Sequence, residues 1–261
     1  MPLTGVFIVF VKIRKQGFCN IKMKEERFFY VPNATEGCQL PQEEAVHATR
    51  VLRLKEGDSI FLIDGEGGIH QAEVTIATNK QCQYRITDST TVPQPENRVH
   101  IAIAPTKMME RMEWMAEKAT EIGIDEISFL EGQFSERRKM RTDRIEKTVV
   151  SAMKQSRKAW KPVINDIIPV KQFIDTPREG RKFICHCHDE IPRIPLKDVR
   201  CKMEDGRCCT VLIGPEGDFS IEEVEYALQH GYESVSLGDF RLRTETAALV
   251  ALMTIRLGQN N

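Results

Sequence analysis

Thr210-Val211-Leu212-Ile213-Gly214-Pro215-Glu216-Gly217-Asp218-Phe219-Ser220 is the stretch on which the fold turns. An apolar run ends at a glycine, a polar loop follows, and Ser220 with Glu223 has the capping-box spacing that starts a helix. Ser234-Val235-Ser236-Leu237-Gly238 repeats the pattern, and its loop runs into Arg241-Leu242-Arg243-Thr244-Glu245-Thr246-Ala247 and an apolar tail. Gly214 and Gly217 permit backbone angles and close approaches that a side chain blocks, and Pro215 stiffens the turn. Thr244 reads as an N-cap, with Glu245 beside the positive end of the next helix. Loops after strand ends are where open α/β sheets bind ligands, although spacing alone fits two ordinary strand-to-helix turns as well.

Upstream, strands and helices alternate. Val99 to Ala104 and Ile124 to Leu130 read as buried strands. Met109, Met112, Met115, Ala116, Ala119 and Ile122 between them mark one face of a helix ended by Gly123. A methionine stripe of this kind normally fills core. Thr142 to Trp160 reads as a long helix, and Lys182 to Cys187, Thr210 to Ile213 and Val235 to Leu237 as further strands. The alternation predicts βαβ units and a mainly parallel sheet. No G-x-G-x-x-G or Walker loop occurs, which argues against a dinucleotide-binding enzyme or a P-loop nucleotidase.

The N-terminal part differs. Arg27 to Val31, Ser59 to Ile63, Ile69 to Ala77 and Gln81 to Asp88 read as short strands, with a helix from Gln42 to Leu54. Crowded short strands must hide their edges, which predicts a small β-barrel. Thr90 to Asn97, with Pro93 and Pro95, has linker composition.

In 261 residues, 41% are hydrophobic and 29% charged, so the chain is globular rather than disordered. A formal net charge of −1 selects no partner. Eight cysteines without repeated spacing point to reduced thiols and a cytoplasmic setting. No apolar run approaches the ~20 residues that span a bilayer. Val6 to Val11 lacks the basic segment and cleavage site of a signal peptide.

Charge is uneven. Phe134 to Lys161 carries ten cations, including Arg137 and Arg157, against three anions, a pattern of either polyanion binding or a solvated helix face. His47, Arg50 and Arg53 recur at three-residue spacing, which predicts one shared helical face. Cys185-His186-Cys187-His188, with Cys201, Cys208 and Cys209, invites a zinc reading. Adjacent strand residues point to opposite faces, and the C-x₂₋₄-C spacing is missing, so no metal is expected. With no nucleophile elbow or redox C-x-x-C, covalent catalysis is not expected either.

The residues Leu212-Ile213-Gly214-Pro215-Glu216-Gly217 and Ser236-Leu237-Gly238…Leu242-Arg243-Thr244-Glu245-Thr246-Ala247 resemble the knotted SPOUT methyltransferases, most closely the ribosomal RNA small-subunit methyltransferase E family. Ser135-Glu136-Arg137 and Gln155-Ser156-Arg157 also fit its pattern. The likeness begins near Met23, which leaves 1–22 as an N-terminal extension, either a mis-called start or a loosely held tail. It implies a PUA-like β-barrel RNA-binding domain over 23–92 and a SPOUT α/β domain over 93–261, its C-terminal segment threaded into a trefoil knot. It further implies S-adenosylmethionine held by Leu212, Ile213, Gly214, Gly217, Ser236, Leu237, Gly238, Arg241, Leu242 and Arg243. The segment Cys187-His188-Asp189-Glu190 would form a third loop beside the cofactor. Arg50, Arg53, Arg137 and Arg157 would hold RNA, either small-subunit ribosomal RNA or the assembled 30S subunit. A homodimer is implied, and methylation at N3 of a uridine. Arg243 would stabilise the developing uridinate, with Glu216 or Glu245 as the base. A ribose 2′-O-methyltransferase of the same superfamily and a non-catalytic ribosome-assembly factor are the alternatives. The family pattern has a second glycine where this chain has Asp218, and Arg-Ile where it has Phe240-Arg241. The first departure bears on loop conformation, the second on which arginine faces the substrate.

Overall fold

Residues 26–199 and 208–259 are described in a computed structural model. The expected extension 1–22 and Cys201 lie outside the described residues. The N-terminal part holds β1 (Phe28–Tyr30), α1 (Gln42–Val46), β2 (Ser59–Ile63), β3 (Gly68–Ala77) and β4 (Cys82–Thr91). These strands pair in the order β1-β2-β3-β4, with β1 parallel to β2 and the remaining pairs antiparallel. Alternation along β2 sends Ile60 and Leu62 into a core with Phe29, Leu40, Val74 and Tyr84. Among the described residues no ladder joins β4 to β1. The free edge of β4 is met instead by the segment after β1, where Leu40 N–H donates to Cys82 O and Tyr84 N–H to Cys38 O (2.9 and 2.8 Å). That contact covers an otherwise open edge.

The rest of the chain forms β5 (Arg98–Ile103), α2 (Met109–Ile122), β6 (Glu126–Glu131), α3 (Thr142–Ser156), β7 (Val163–Pro169), α4 (Val170–Asp175), β8 (Arg181–Cys185), β9 (Ile194–Pro195), β10 (Cys208–Ile213), α5 (Ile221–Gln229), β11 (Glu233–Ser236) and α6 (Thr244–Gln259). The seven strands lie in the order β7-β6-β5-β10-β8-β11-β9, every neighbouring pair parallel. Both faces are covered, which is why the central strands read as continuous apolar runs. Ile101, Ile103, Val211 and Ile213 face a core shared with α2, α3 and α6. Ala102, Leu130 and Leu212 face the opposite core with α4 and α5. The methionine stripe of α2 is core, with Met112 and Met115 at 0% exposure.

Local chemistry explains where elements start and stop. Ser220 Oγ accepts from Glu223 N–H at 3.2 Å, and Glu223 Oε2 accepts from Ser220 N–H at 2.9 Å, so the capping box is complete. Ser220→Ala is expected to cost about 1 kcal/mol, read as a lowered denaturant midpoint with unchanged slope. An unmoved midpoint would contradict the cap's role. Thr244 is the first residue of α6 rather than its cap, since Arg243 O accepts from Ala247 N–H at 2.8 Å. α3 ends four residues before the expected Trp160, because Arg157 takes a left-handed conformation with φ 56°.

Trp160 is thereby freed to join the two parts. Its Nε1 donates to Val92 O at 3.0 Å, while Gly67 N–H donates to Ala159 O and Lys161 N–H to Gly65 O (3.1 and 2.9 Å). A Cβ on Gly67, whose φ is +102°, would stand 2.7 Å from the Trp160 ring. The expected linker from Thr90 is shorter than composition suggests, as β4 runs on to Thr91 and Val92 N–H donates to Gly67 O.

Candidate active site

β10, β8 and β11 are successive neighbours and parallel, so the loops leaving their carboxyl ends gather at one edge of the sheet. They enclose a cavity of ≈ 440 Å³. Ile213, Gly214, Ser236, Leu237, Gly238, Arg241, Leu242 and Arg243 line it, together with both acidic candidates, Glu216 and Glu245. Two expected residues do not. Leu212 is fully buried and points into the core on the α4–α5 face, because it alternates with its neighbour Ile213. Gly217 backs onto Phe134, whose Cβ would be 3.1 Å from an added Cβ. The turn needs glycine at Gly214, where a Cβ would come within 3.0 Å of Phe219 N. At Gly238 the need is conformational, with φ +120° and open space where a Cβ would project.

Among the lining residues that sequence reading did not assign to the site are Arg111 from α2, His186 and Arg193. Arg111 sits on the same helix as the methionine stripe, and no local pattern separates it from an ordinary surface arginine.

Asp218 joins two of the loops. Its φ is 68°, a left-handed value that glycine adopts freely and aspartate tolerates through side-chain hydrogen bonds. Oδ2 accepts from Cys187 N–H at 2.7 Å, and Oδ1 from its neighbour's Phe219 N–H at 2.8 Å. His188 Nε2 donates to Phe219 O at 2.7 Å, and Arg193 Nη1 donates to His186 O at 2.9 Å. His186 Nε2 meets Ser234 Oγ at 2.7 Å, while His186 Nδ1 accepts from His188 N–H at 3.2 Å. Burial pushes His186 down to about 4, which keeps it neutral as that acceptor role requires. Burial also raises the Cys185 and Cys187 thiols, so neither is a thiolate nucleophile at neutral pH. Among the described residues no group of three or more His, Cys, Asp and Glu side chains is placed to hold a metal ion.

The two acids differ. Glu216 is exposed, and its Oε1 accepts from Lys107 N–H at 3.2 Å. Glu245 is 5% exposed at the start of α6, with Oε1 3.7 Å from Arg111 Nε, while its buried Oε2 has no hydrogen-bond partner. Arg243 is exposed and makes no ion pair among the described residues. A second hollow, lined by Glu110, Arg111, Trp114, Arg243, Glu245 and Thr246, opens beside the first and shares three charged side chains with it.

Four cations of the basic window are paired with acids from outside it. Arg138 pairs with Glu131, Arg144 with Glu113, Lys154 with Glu44, and Arg157 with Glu26, all at 2.5–2.6 Å. Arg137 donates to the carbonyls of Thr106 and Lys107, and Arg157 also lies over the Phe28 ring. Two of the four expected RNA contacts therefore already have partners within the chain. Arg50 and Arg53 are exposed, but they do not share a regular helical face. His47–Val51 forms a π-helical turn, and Arg53 follows it in a left-handed conformation, φ 53°.

Residues 93–256 match the RNA methyltransferase domain family, and residues 40–87 match the RNA methyltransferase PUA domain. A probable rRNA-methyltransferase from Porphyromonas gingivalis has a solved structure similar to this one with a TM-score of 0.83 and 44% identity, covering 90% of this chain and 98% of that one. The ribosomal RNA small subunit methyltransferase E of Neisseria gonorrhoeae, solved bound to S-adenosyl methionine, is similar with a TM-score of 0.78 and 25% identity over 89% and 98% of the two chains. Ribosomal RNA small subunit methyltransferase E of Rickettsia conorii is 25% identical over 90% of this chain and 96% of that protein.

Proposed function

Because the chain belongs to the RNA methyltransferase domain family, we propose that it methylates small-subunit ribosomal RNA with S-adenosylmethionine, at N3 of a uridine. The observation that carries this reading is the meeting of three strand-end loops around one cavity with Arg243 and Glu245 on its wall.

The residues present fit the cofactor. Ile213, Leu237 and Leu242 give apolar walls, and Gly238 leaves open space where a side chain would project, so a ligand can lie against bare backbone. When bound, S-adenosylmethionine supplies a methyl group already activated on a positively charged sulfur. The protein's own task is to align and deprotonate the uridine. The hollow beside Trp114, contiguous with the cavity through Arg111, Arg243 and Glu245, suits a flat base. There the free guanidinium of Arg243 donates to the uracil oxygen that gains charge as N3 loses its proton. Glu245 Oε2 accepts that proton, and Arg111 keeps the carboxylate turned toward the hollow. Glu216, held by Lys107 N–H, acts through the loop rather than on the base.

The finer architecture follows the same reading. The domains divide as a PUA-like module over 23–92 and a SPOUT domain over 93–261. β10 returns between the earlier strands β5 and β8, and α6 packs back across β5 and β10, an order consistent with a trefoil knot. Trp114 and Phe240, 45% and 88% exposed near the cavity mouth, offer apolar surface to a second copy in a homodimer. Arg50 and Arg53 supply unpaired charge for RNA phosphates. The enzyme would work in the cytoplasm, where its substrate is assembled; no helix among the described residues is long and apolar enough to cross a membrane.

Nucleoside analysis of ribosomal RNA from a strain lacking the protein tests the chemistry. Loss of base-methylated uridine is expected. Loss of a ribose-methylated nucleoside instead would identify a 2′-O-methyltransferase, and an unchanged digest with retained RNA binding would identify a non-catalytic assembly factor.

A further inference from the structure

We infer that Asp218 is a positioning residue for the cofactor, fastening the loop after β8 to the loop after β10 so that the cavity keeps its wall. The inference rests on the reading of that cavity as the S-adenosylmethionine site.

Cys185, His186 and Cys187 form one side of the cavity, yet the chain beyond β8 leaves the sheet at once, and Cys187, Asp189 and Glu190 are exposed. His186 itself is buried and meets Ser234 Oγ at 2.7 Å, but the exposed residues beyond it have little core packing to hold them. Further polar contacts fasten that part. Asp218 Oδ2 takes Cys187 N–H, Phe219 O takes the His188 ring N–H, and Arg193 spans the loop from His186 O to Asp189 Oδ1 (2.7, 2.7 and 2.9 Å, the last for both Arg193 bonds). The first two reach across from the loop after β10, and the first is charge-assisted. Asp218 is well placed because its own turn is fixed: its N–H donates to Pro215 O at 2.9 Å, and Oδ1 is held by Phe219 N–H. A glycine would satisfy φ 68° equally well but could not bridge the loops. The carboxylate therefore serves the neighbouring loop as well as its own turn.

The test compares full-length wild type with D218G and D218N. Glycine accepts the turn without strain and removes both carboxylate bonds, whereas asparagine tolerates the turn and keeps one acceptor. D218G is expected to raise the Kd and KM for S-adenosylmethionine about tenfold, with kcat for methyl transfer to unmodified small subunits little changed. Hydrogen exchange over 186–189 should quicken in the cofactor-free variant, and D218N should fall between. Wild-type affinity in D218G, unchanged exchange, or a loss confined to kcat overturns the inference. Failure of the wild-type chain itself to bind S-adenosylmethionine in calorimetry overturns the reading of the cavity instead. Should D218G not fold, D218A removes the same two bonds at the cost of a left-handed turn, and wild-type affinity and exchange there are equally decisive.

Discussion

Arg243→Ala should lower kcat about 100- to 1,000-fold while leaving the affinity for S-adenosylmethionine within a few-fold of wild type. The main chain at this position is anchored, because Arg243 O accepts from Ala247 N–H in the first turn of α6. The side chain is free: it is exposed, has no acidic partner among the described residues, and lines both hollows. Structural arginines in this protein look different. Arg137 and Arg256, for example, donate to backbone carbonyls. An arginine without a partner at the meeting point of two hollows is poised for charge that develops only during reaction, so its loss falls on kcat rather than on binding. Arg243→Lys keeps the charge without the planar fork and should recover part of the rate. Single-turnover transfer of tritiated methyl groups to unmodified small subunits gives the number. A variant with undiminished turnover sinks the assignment.

Much of the fold was legible because burial writes itself into spacing. β2 matches its apolar run residue for residue, and α2 its methionine stripe, since each buries a continuous face. β7 was missed. It is an edge strand, Val163-Ile164-Asn165-Asp166-Ile167-Ile168-Pro169, whose polar centre breaks the apolar run and whose residues stay half-buried or exposed. β9, of two residues, is too short to have a period at all. The cavity was legible in its glycine-hinged loops, but not in Arg111, which reaches it from another element. The basic window misled for a related reason. Its charge is a count along the chain, whereas Glu26, Glu44 and Glu113 arrive from other elements of the fold and Glu131 from just before the window. Asp218 shows the reverse: a departure from the glycine pattern that leaves the turn intact, because its carboxylate bonds the backbone around it.

Glu245→Gln separates a proton acceptor from an ordinary helix-end acid. A carboxylate in the first turn of a helix stabilises it by about 0.3–1 kcal/mol, and the amide would forfeit that much stability with no effect on turnover. The burial of Glu245 argues for more. Its Oε2 is buried without a hydrogen-bond partner among the described residues, and Arg111 flanks the other oxygen. Glu245 lines both hollows, which places its carboxylate to take the N3 proton of a uridine bound there. The amide should therefore lower kcat about 100- to 10,000-fold with little change in cofactor Kd. The pH profile carries the sign. Without its own acceptor the variant depends on uridine already ionised in solution, so its rate should climb steadily with rising pH where the wild type has levelled off. Glu216→Gln, whose carboxylate only holds Lys107 N–H, should keep the wild-type profile. If Glu245→Gln instead weakens cofactor binding and leaves the profile unchanged, the carboxylate is a counter-charge to the sulfonium and the proton leaves by another route.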